Sequence, residues 1–466
     1  MNSILPQNQN ENAVSNDFKS FFTEYHVGKI LKHCNAYKKS GIPVITILLC
    51  ILSTVFTGMS IYMERRMGFK TIPFGKDTYY RLMSSPNINW RRYISMLAAA
   101  VHEKIIPLTS DSRKNALIID DSPCKRNCSR KVEMLGNCLD HNDHRYYNGF
   151  RTLTLGWTDG NTFLPVSFCL LTNQDPEKRR NKTVIQFDRR TNAAHQKHLA
   201  EIGAPACLME LLKDAKKAGI KAKHLLADSW FGSPKTILEV KELGYDMVCM
   251  IKTNRQIAFT YNGKRTITRE IHDKESAKQS DKKSPFTVSV MVTRKNDKRA
   301  IPAKLVFVPQ EKKHDEYFIL LSTDTSMDAN EIIALYGKRW KIETFFQTCK
   351  GFLKFAKETR AIDYNSLTAH VAIVFTRYMM LAVKEREAED ERTLGELFYI
   401  CVQEMQDITL EESLRLLNLW AESISEILNN PESIDKNVIL KALLNETRKF
   451  INSLPTYLTK NLLNAA

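Results

Sequence analysis

Tyr336-Gly337-Lys338-Arg339-Trp340-Lys341-Ile342-Glu343, running on to Lys350, is the stretch on which the reading of this chain turns. It follows Asp328, a good N-cap, and the pattern predicts one long helix from there to about Phe355. Spacings of three, four and seven residues put Tyr336, Arg339, Glu343 and Lys350 on one face, within an arc of roughly 60° at 100° per residue. An i,i+4 pair between Arg339 and Glu343 is worth only about 0.3–0.5 kcal/mol. One acid among two bases and a tyrosine is an odd stripe for a purely structural helix. A carboxylate that holds a divalent metal, beside cations that hold phosphate, suits the cutting of DNA.

Two more acids sit where strands should end. Asp120 follows the apolar run Leu117-Ile118-Ile119, and Asp228 follows Leu225-Leu226-Ala227. Carboxylates at the ends of neighbouring buried strands, with a third on a helix alongside, can share two Mg²⁺ ions for phosphoryl transfer. Asp121 competes with Asp120 for that role, but the following x-Ser122 favours Asp120, and Asp121 should point to the opposite face of the strand. Asp228 has a rival reading as a helix N-cap. Asp159, in Thr158-Asp159-Gly160, reads as a turn residue.

These residues carry a resemblance. Tyr336-x2-Arg339-x3-Glu343-x6-Lys350 resembles the YREK signature of the insertion-sequence-4 family of transposases. Asp120-Asp121-Ser122 is similar to that family's first aspartate motif, and Asp228-Ser229-Trp230-Phe231 to its second. The resemblance covers roughly residues 110–360. It implies an α/β fold: an RNase H-like catalytic core interrupted by a β-rich insertion and flanked by helical N-terminal and C-terminal domains. It implies a DDE triad of Asp120, Asp228 and Glu343 holding two Mg²⁺ ions, for which Mn²⁺ can substitute. Tyr336, Arg339 and Lys350 would contact DNA near the cleaved end. The implied activity is cut-and-paste transposition of a bacterial insertion sequence, by strand cleavage, hairpin formation and strand transfer. Its partners would be the element's terminal inverted repeats and target DNA, bound by a homodimer. The rival functions are a structure-specific nuclease on the same core and a non-catalytic DNA-binding derivative. The family's base-stacking aromatic has no single match, and Phe259, Tyr261, Phe307 and Tyr317 all remain open.

The order of elements divides the chain. Residues 1–17 read as a disordered polar tail. Residues 18–110 are helical, with interleaved basic and aromatic residues such as Trp90-Arg91-Arg92-Tyr93, which suit a small DNA-binding module or an ordinary helical domain with a basic face. Residues 111–254 form the first part of the core, with a hairpin of strands at 151–157 and 162–170. Residues 255–325 form the β-rich insertion, in which Asn262-Gly263 marks a tight hairpin. Residues 326–360 carry the helix with Glu343. Residues 361–466 are helical and a candidate for dimerisation.

Composition sets the outer limits. The chain has 466 residues, 43% hydrophobic and 26% charged, which excludes wholesale disorder. Its formal charge is +16, a surplus that calls for a polyanion, an anionic membrane or a solubility role. Residues 384–426 hold twelve acids against four bases, so the basic surplus belongs to the remainder, at about +24. Ten scattered cysteines and no export signal point to a reducing cytoplasm; the resemblance implies a bacterial one, with the protein associated with the nucleoid. Residues 40–63 lack charge and are the sole sequence candidate for a membrane span, but their hydroxyls and glycine favour a buried helix, and no membrane is expected. Cys124, Cys128, Cys138, His141 and His144 lack a paired Cys-x2-Cys, so zinc is disfavoured. Lys125, Arg126, Arg130 and Lys131 read as facing DNA. The run through Arg179-Arg180, Lys182, Arg189-Arg190, His195, Lys197 and His198 divides evenly between solvated surface and phosphate contact.

Overall fold

The apolar run at 116–119 is the start of a longer strand, β1 (Ala116–Lys125). A computed structural model describes it within residues 16–58, 73–109, 113–140, 144–181, 188–252, 257–279, 283–294, 297–310, 317–357, 359–387, 393–428, 440–441 and 444–447. Residues 1–15 of the polar tail, residues 59–63, His141, Lys182 and most of 429–466 lie outside the described residues.

The fold is mixed α/β, built on one large mixed sheet. β1 pairs antiparallel with β3 (Arg145–Thr158), which is flanked by β2 (Gly136–Asp140) and β4 (Phe163–Leu171). On its other side β1 pairs parallel with β5 (His224–Ala227), and β5 with β6 (Asp246–Ile251). The sheet continues through β11 (Tyr317–Ser322), β10 (Ala300–Pro309) and β9 (Phe286–Thr293) to the hairpin of β7 (Ala258–Tyr261) and β8 (Lys264–Ile267). The hairpin turns at Asn262-Gly263, both with positive φ, as the dipeptide requires. Parallel strands need long crossovers. Between β4 and β5 these are α6 (Asn192–Glu201) and α7 (Ala204–Lys217), and between β5 and β6 it is α8 (Pro234–Glu242). A helix within the strand-rich region, α9 (Thr268–Ser276), is absent from the sequence reading; short and strongly polar, it lacks a long apolar stripe.

Among the described residues, five helices precede the sheet: α1 (Asn16–Glu24), α2 (Val27–His33), α3 (Val44–Thr57), α4 (Lys76–Met83) and α5 (Trp90–Ile105). α5 lies on β4, where Ser95 Oγ donates to the Val166 carbonyl at 2.8 Å. After β11 come α10 (Ala329–Gly337), α11 (Trp340–Gly351), α12 (Tyr364–Glu387) and α13 (Leu394–Leu428). Asp328 does cap α10, in a reciprocal capping box with Glu331. The single helix expected to Phe355 is instead two. At the break, the N–H groups of Lys338, Arg339, Lys341 and Ile342 each donate to the carbonyl three residues back, a tighter winding than an α-helix. Gly337 weakens the helix there, and Lys338 Nζ is drawn to the carbonyls of Lys114 and Asp159.

α3 is buried, as its hydroxyl-bearing sequence suggests, with Ser53 and Thr54 bonding to its own carbonyls. One helix among the described residues is long and apolar enough to cross a membrane, and it is not α3 but residues 364–386 of α12, whose apolar window lies wholly inside the protein. On it, the fully buried Arg377 donates to the carbonyls of Leu52 (3.0 Å) and Ile51 (2.6 Å) and to Thr54 Oγ1 (3.1 Å). These groups lie in the last two turns of α3, so the arginine joins the first helices to the last. Replacing Arg377 with Met should remove these charge-assisted bonds and cost about 2–4 kcal/mol, read as a lower denaturation midpoint in urea with the secondary structure otherwise retained.

Candidate active site

Ile119 pairs with Ala227 in the parallel register of β1 and β5. The next residue on each strand is Asp120 and Asp228, so the two carboxylates leave the sheet side by side. Burial, and then the charge of Asp121, pushes Asp120 up to about 7, with Asp228 adding to the effect. Asp228 is raised by burial and then by Asp121. Asp228 is no helix cap, because α8 begins later and is capped by Ser233; its Oδ1 accepts from the Trp230 N–H at 2.9 Å.

The break between α10 and α11 delivers Arg339 to this pair. Its Nη1 donates to Asp120 Oδ2 at 3.1 Å and its Nη2 to Glu343 Oε1 at 2.5 Å. The expected i,i+4 pair is therefore present, but it is half of a bridge between two acids. The Tyr336 ring centroid lies 5.8 Å from the Arg339 guanidinium. Burial, followed by the charge of Arg339, Cys249 and Asp228, governs the Tyr336 hydroxyl, which is pushed up to about 12. Tyr336, Arg339 and Glu343 thus converge with Asp120 and Asp228. Lys350 does not join them. Its electrostatic neighbours are Asp140, Lys125 and Cys124, at the far end of β1, and burial lowers its ammonium from the usual range.

Asp121 points away from this bridge, to Arg151 on β3, at 2.5 and 2.8 Å. That guanidinium lies 3.7 Å from the Trp230 ring centroid. The sequence reading passed over Arg151 and Trp230. The available signals were a lone arginine opening an alternating strand and an aromatic two residues beyond an expected acid.

Several other expectations are redrawn. Lys197 is buried against Glu133 at 2.7 Å, and Arg179 is paired with Glu201 at 2.6 Å, so part of the basic run serves packing. Arg126 is buried and donates to the Thr359 carbonyl at 2.6 Å instead of facing DNA. Asp159 does close its turn, accepting from the N–H groups of Asn161 and Thr162. Phe259 and Phe307 are fully buried, while Tyr261 and Tyr317 are partly exposed.

Among the described residues, no group of three or more His, Cys, Asp or Glu side chains lies close enough to hold a metal. Cys124 and Cys138 are buried and Cys128 is exposed. At the acids the physical reason is visible: the cation Arg339 stands between Asp120 and Glu343. The donor set itself suits a hard divalent cation, being oxygen throughout. Two desolvated neighbouring carboxylates also carry more negative charge than one arginine offsets.

A family model described as DDE superfamily endonuclease matches residues 45–304. That span includes Asp120 and Asp228 and ends before Glu343. No curated protein matches the chain. If Arg339 and a cation compete for the same oxygens, Arg339→Ala should bind Mn²⁺ about tenfold more tightly than wild type in the absence of DNA, equivalent to about 1.4 kcal/mol, by calorimetric titration.

Proposed function

The chain belongs to the DDE superfamily endonucleases, enzymes that cut or transfer nucleic acid, and we propose that it is an insertion-sequence-4-type transposase that moves DNA by cut-and-paste. The observation that carries this reading is the juxtaposition of Asp120 with Asp228, with Glu343 joined to Asp120 through Arg339. We read β4-β3-β1-β5-β6 as the RNase H-like core and the strands β7–β10 as its β-rich insertion. The strand order and directions support that assignment.

In this reading Asp120, Asp228 and Glu343 would hold two Mg²⁺ ions, which would supply activation of the attacking oxygen and stabilisation of the leaving oxygen. The chain's own cations do the rest. The planar fork of Arg339 suits a phosphate as well as a carboxylate, so the arginine can leave the acids for the substrate backbone. The ring of Tyr336 borders that guanidinium and limits its path. Lys125 lies five residues along β1 from Asp120, roughly 17 Å at 3.3 Å per residue, and with its neighbour Lys350 it would suit a phosphate two or three nucleotides along. Attack by water breaks the bond at the element end and frees a 3′-hydroxyl. That hydroxyl attacks the opposite strand to close a hairpin, which is reopened and joined to target DNA. Two ends must be held together, which calls for a homodimer.

Asp228→Asn should lower Mg²⁺-dependent cleavage of element-end DNA by at least about 100-fold, on the scale of losing one positioned catalytic group. DNA binding should persist and weaken steeply with salt. Full cleavage by this variant overturns the reading. Wild-type cleavage without strand joining would instead favour a structure-specific nuclease.

A further inference from the structure

Asp228 lies one residue past the last backbone pairing between β1 and β5, in a loop held by two turn bonds, Phe231 N–H to the Asp228 carbonyl and Gly232 N–H to the Ser229 carbonyl. A carboxylate on a loop is less well placed than one on a strand. We propose that Arg151, Asp121 and Trp230 form a clasp that positions Asp228, making all three positioning residues for the reaction. This rests on the reading that Asp228 is one of the working acids.

The clasp can be followed atom by atom. The Trp230 backbone N–H donates to Asp228 Oδ1 at 2.9 Å. The Trp230 ring lies under the Arg151 guanidinium, 3.7 Å from it. Arg151 grips both oxygens of Asp121, next in the chain to Asp120. The side chains of Arg151 and Asp121 are 20% and 15% exposed, dry enough for the fork and the cation–π contact to exceed their value in open water. Below, Phe231 is fully buried, and a Cβ on Gly232 would stand 2.7 Å from the Met250 carbonyl, so the loop is pressed onto β6. The loop after β5 is thereby tied to β1 and β3 by side chains where backbone pairing has stopped. Asp121 is then not a spare ligand, since both its oxygens are committed.

The test uses the full chain and reads kcat and KM for end cleavage, Mn²⁺ affinity by calorimetry, and thermal melting. Trp230→Phe keeps a ring under Arg151 and should stay within about threefold of wild type. Trp230→Leu and Arg151→Gln should each lose roughly 10–100-fold in kcat and in Mn²⁺ affinity, with KM for DNA nearly unchanged. The double variant should be no worse than the poorer single one, because both break one unit. A raised KM at constant kcat in Arg151→Gln, full activity in Trp230→Leu, or multiplying losses in the double variant each overturn the clasp. Should Trp230→Leu fail to melt cooperatively, Asp121→Asn carries the same expectation with no change of volume. An Asp228→Asn enzyme that cleaves normally sinks the triad reading itself. Inactive Asp228→Asn beside active Arg151→Gln and Trp230→Leu sinks only the clasp.

Discussion

The parallel pairing of β1 with β5 is the constraint from which the rest of the site follows. Its register brings Asp120 and Asp228 out of the sheet together, where burial strengthens their mutual repulsion. The surroundings answer that charge. Arg339 reaches Asp120 from the break between two helices, and Arg151 takes up Asp121 from the adjoining strand. The tightened winding at 338–342 goes with Lys338 reaching back to the carbonyls of Lys114 and Asp159, and it is from this turn that Arg339 meets Asp120.

Much of this was legible from residue order. Short apolar runs followed by an acid mark the place where β1 and β5 present their carboxylates: β5 does end just before Asp228, whereas β1 runs on through Asp120 to Lys125, paired with β3, so the strand end expected at Asp120 is not found. The turn at Asn262-Gly263 and the cap at Asp328 are local chemistry and read correctly for that reason. The break at 338–339 was not legible, because it depends on the carbonyls of Lys114 and Asp159, far away in the chain. For the same reason periodicity placed Lys350 with Arg339. A shared helical face says nothing of which end of β1 each residue meets. The commitment of Asp121 to Arg151, in a cluster of three with Trp230, joins β1, β3 and the loop after β5, which no local pattern connects.

The basic surplus also changes meaning. Arg377, Lys197, Arg126 and Arg91 are all buried; Arg91 pairs with Asp214 at 2.9 Å. Their charges are spent on helix carbonyls and acids within the fold. The basic charge open to a polyanion is therefore smaller than the count of bases suggests, while Arg92 and Arg189 stay exposed. Counting bases along a chain overstates affinity for DNA wherever arginine doubles as a packing residue.

The bond from Arg377 to Leu52 spans 325 residues. On a ribosome adding about 5–20 residues per second, α3 emerges and then waits on the order of 15–65 s before the helix that carries Arg377 has been made. During that time its uncharged apolar surface must be shielded by transient partners or remain in a collapsed precursor. The order of synthesis also means that β1 and β5 can bring Asp120 and Asp228 together before Arg339 and Glu343 have been made.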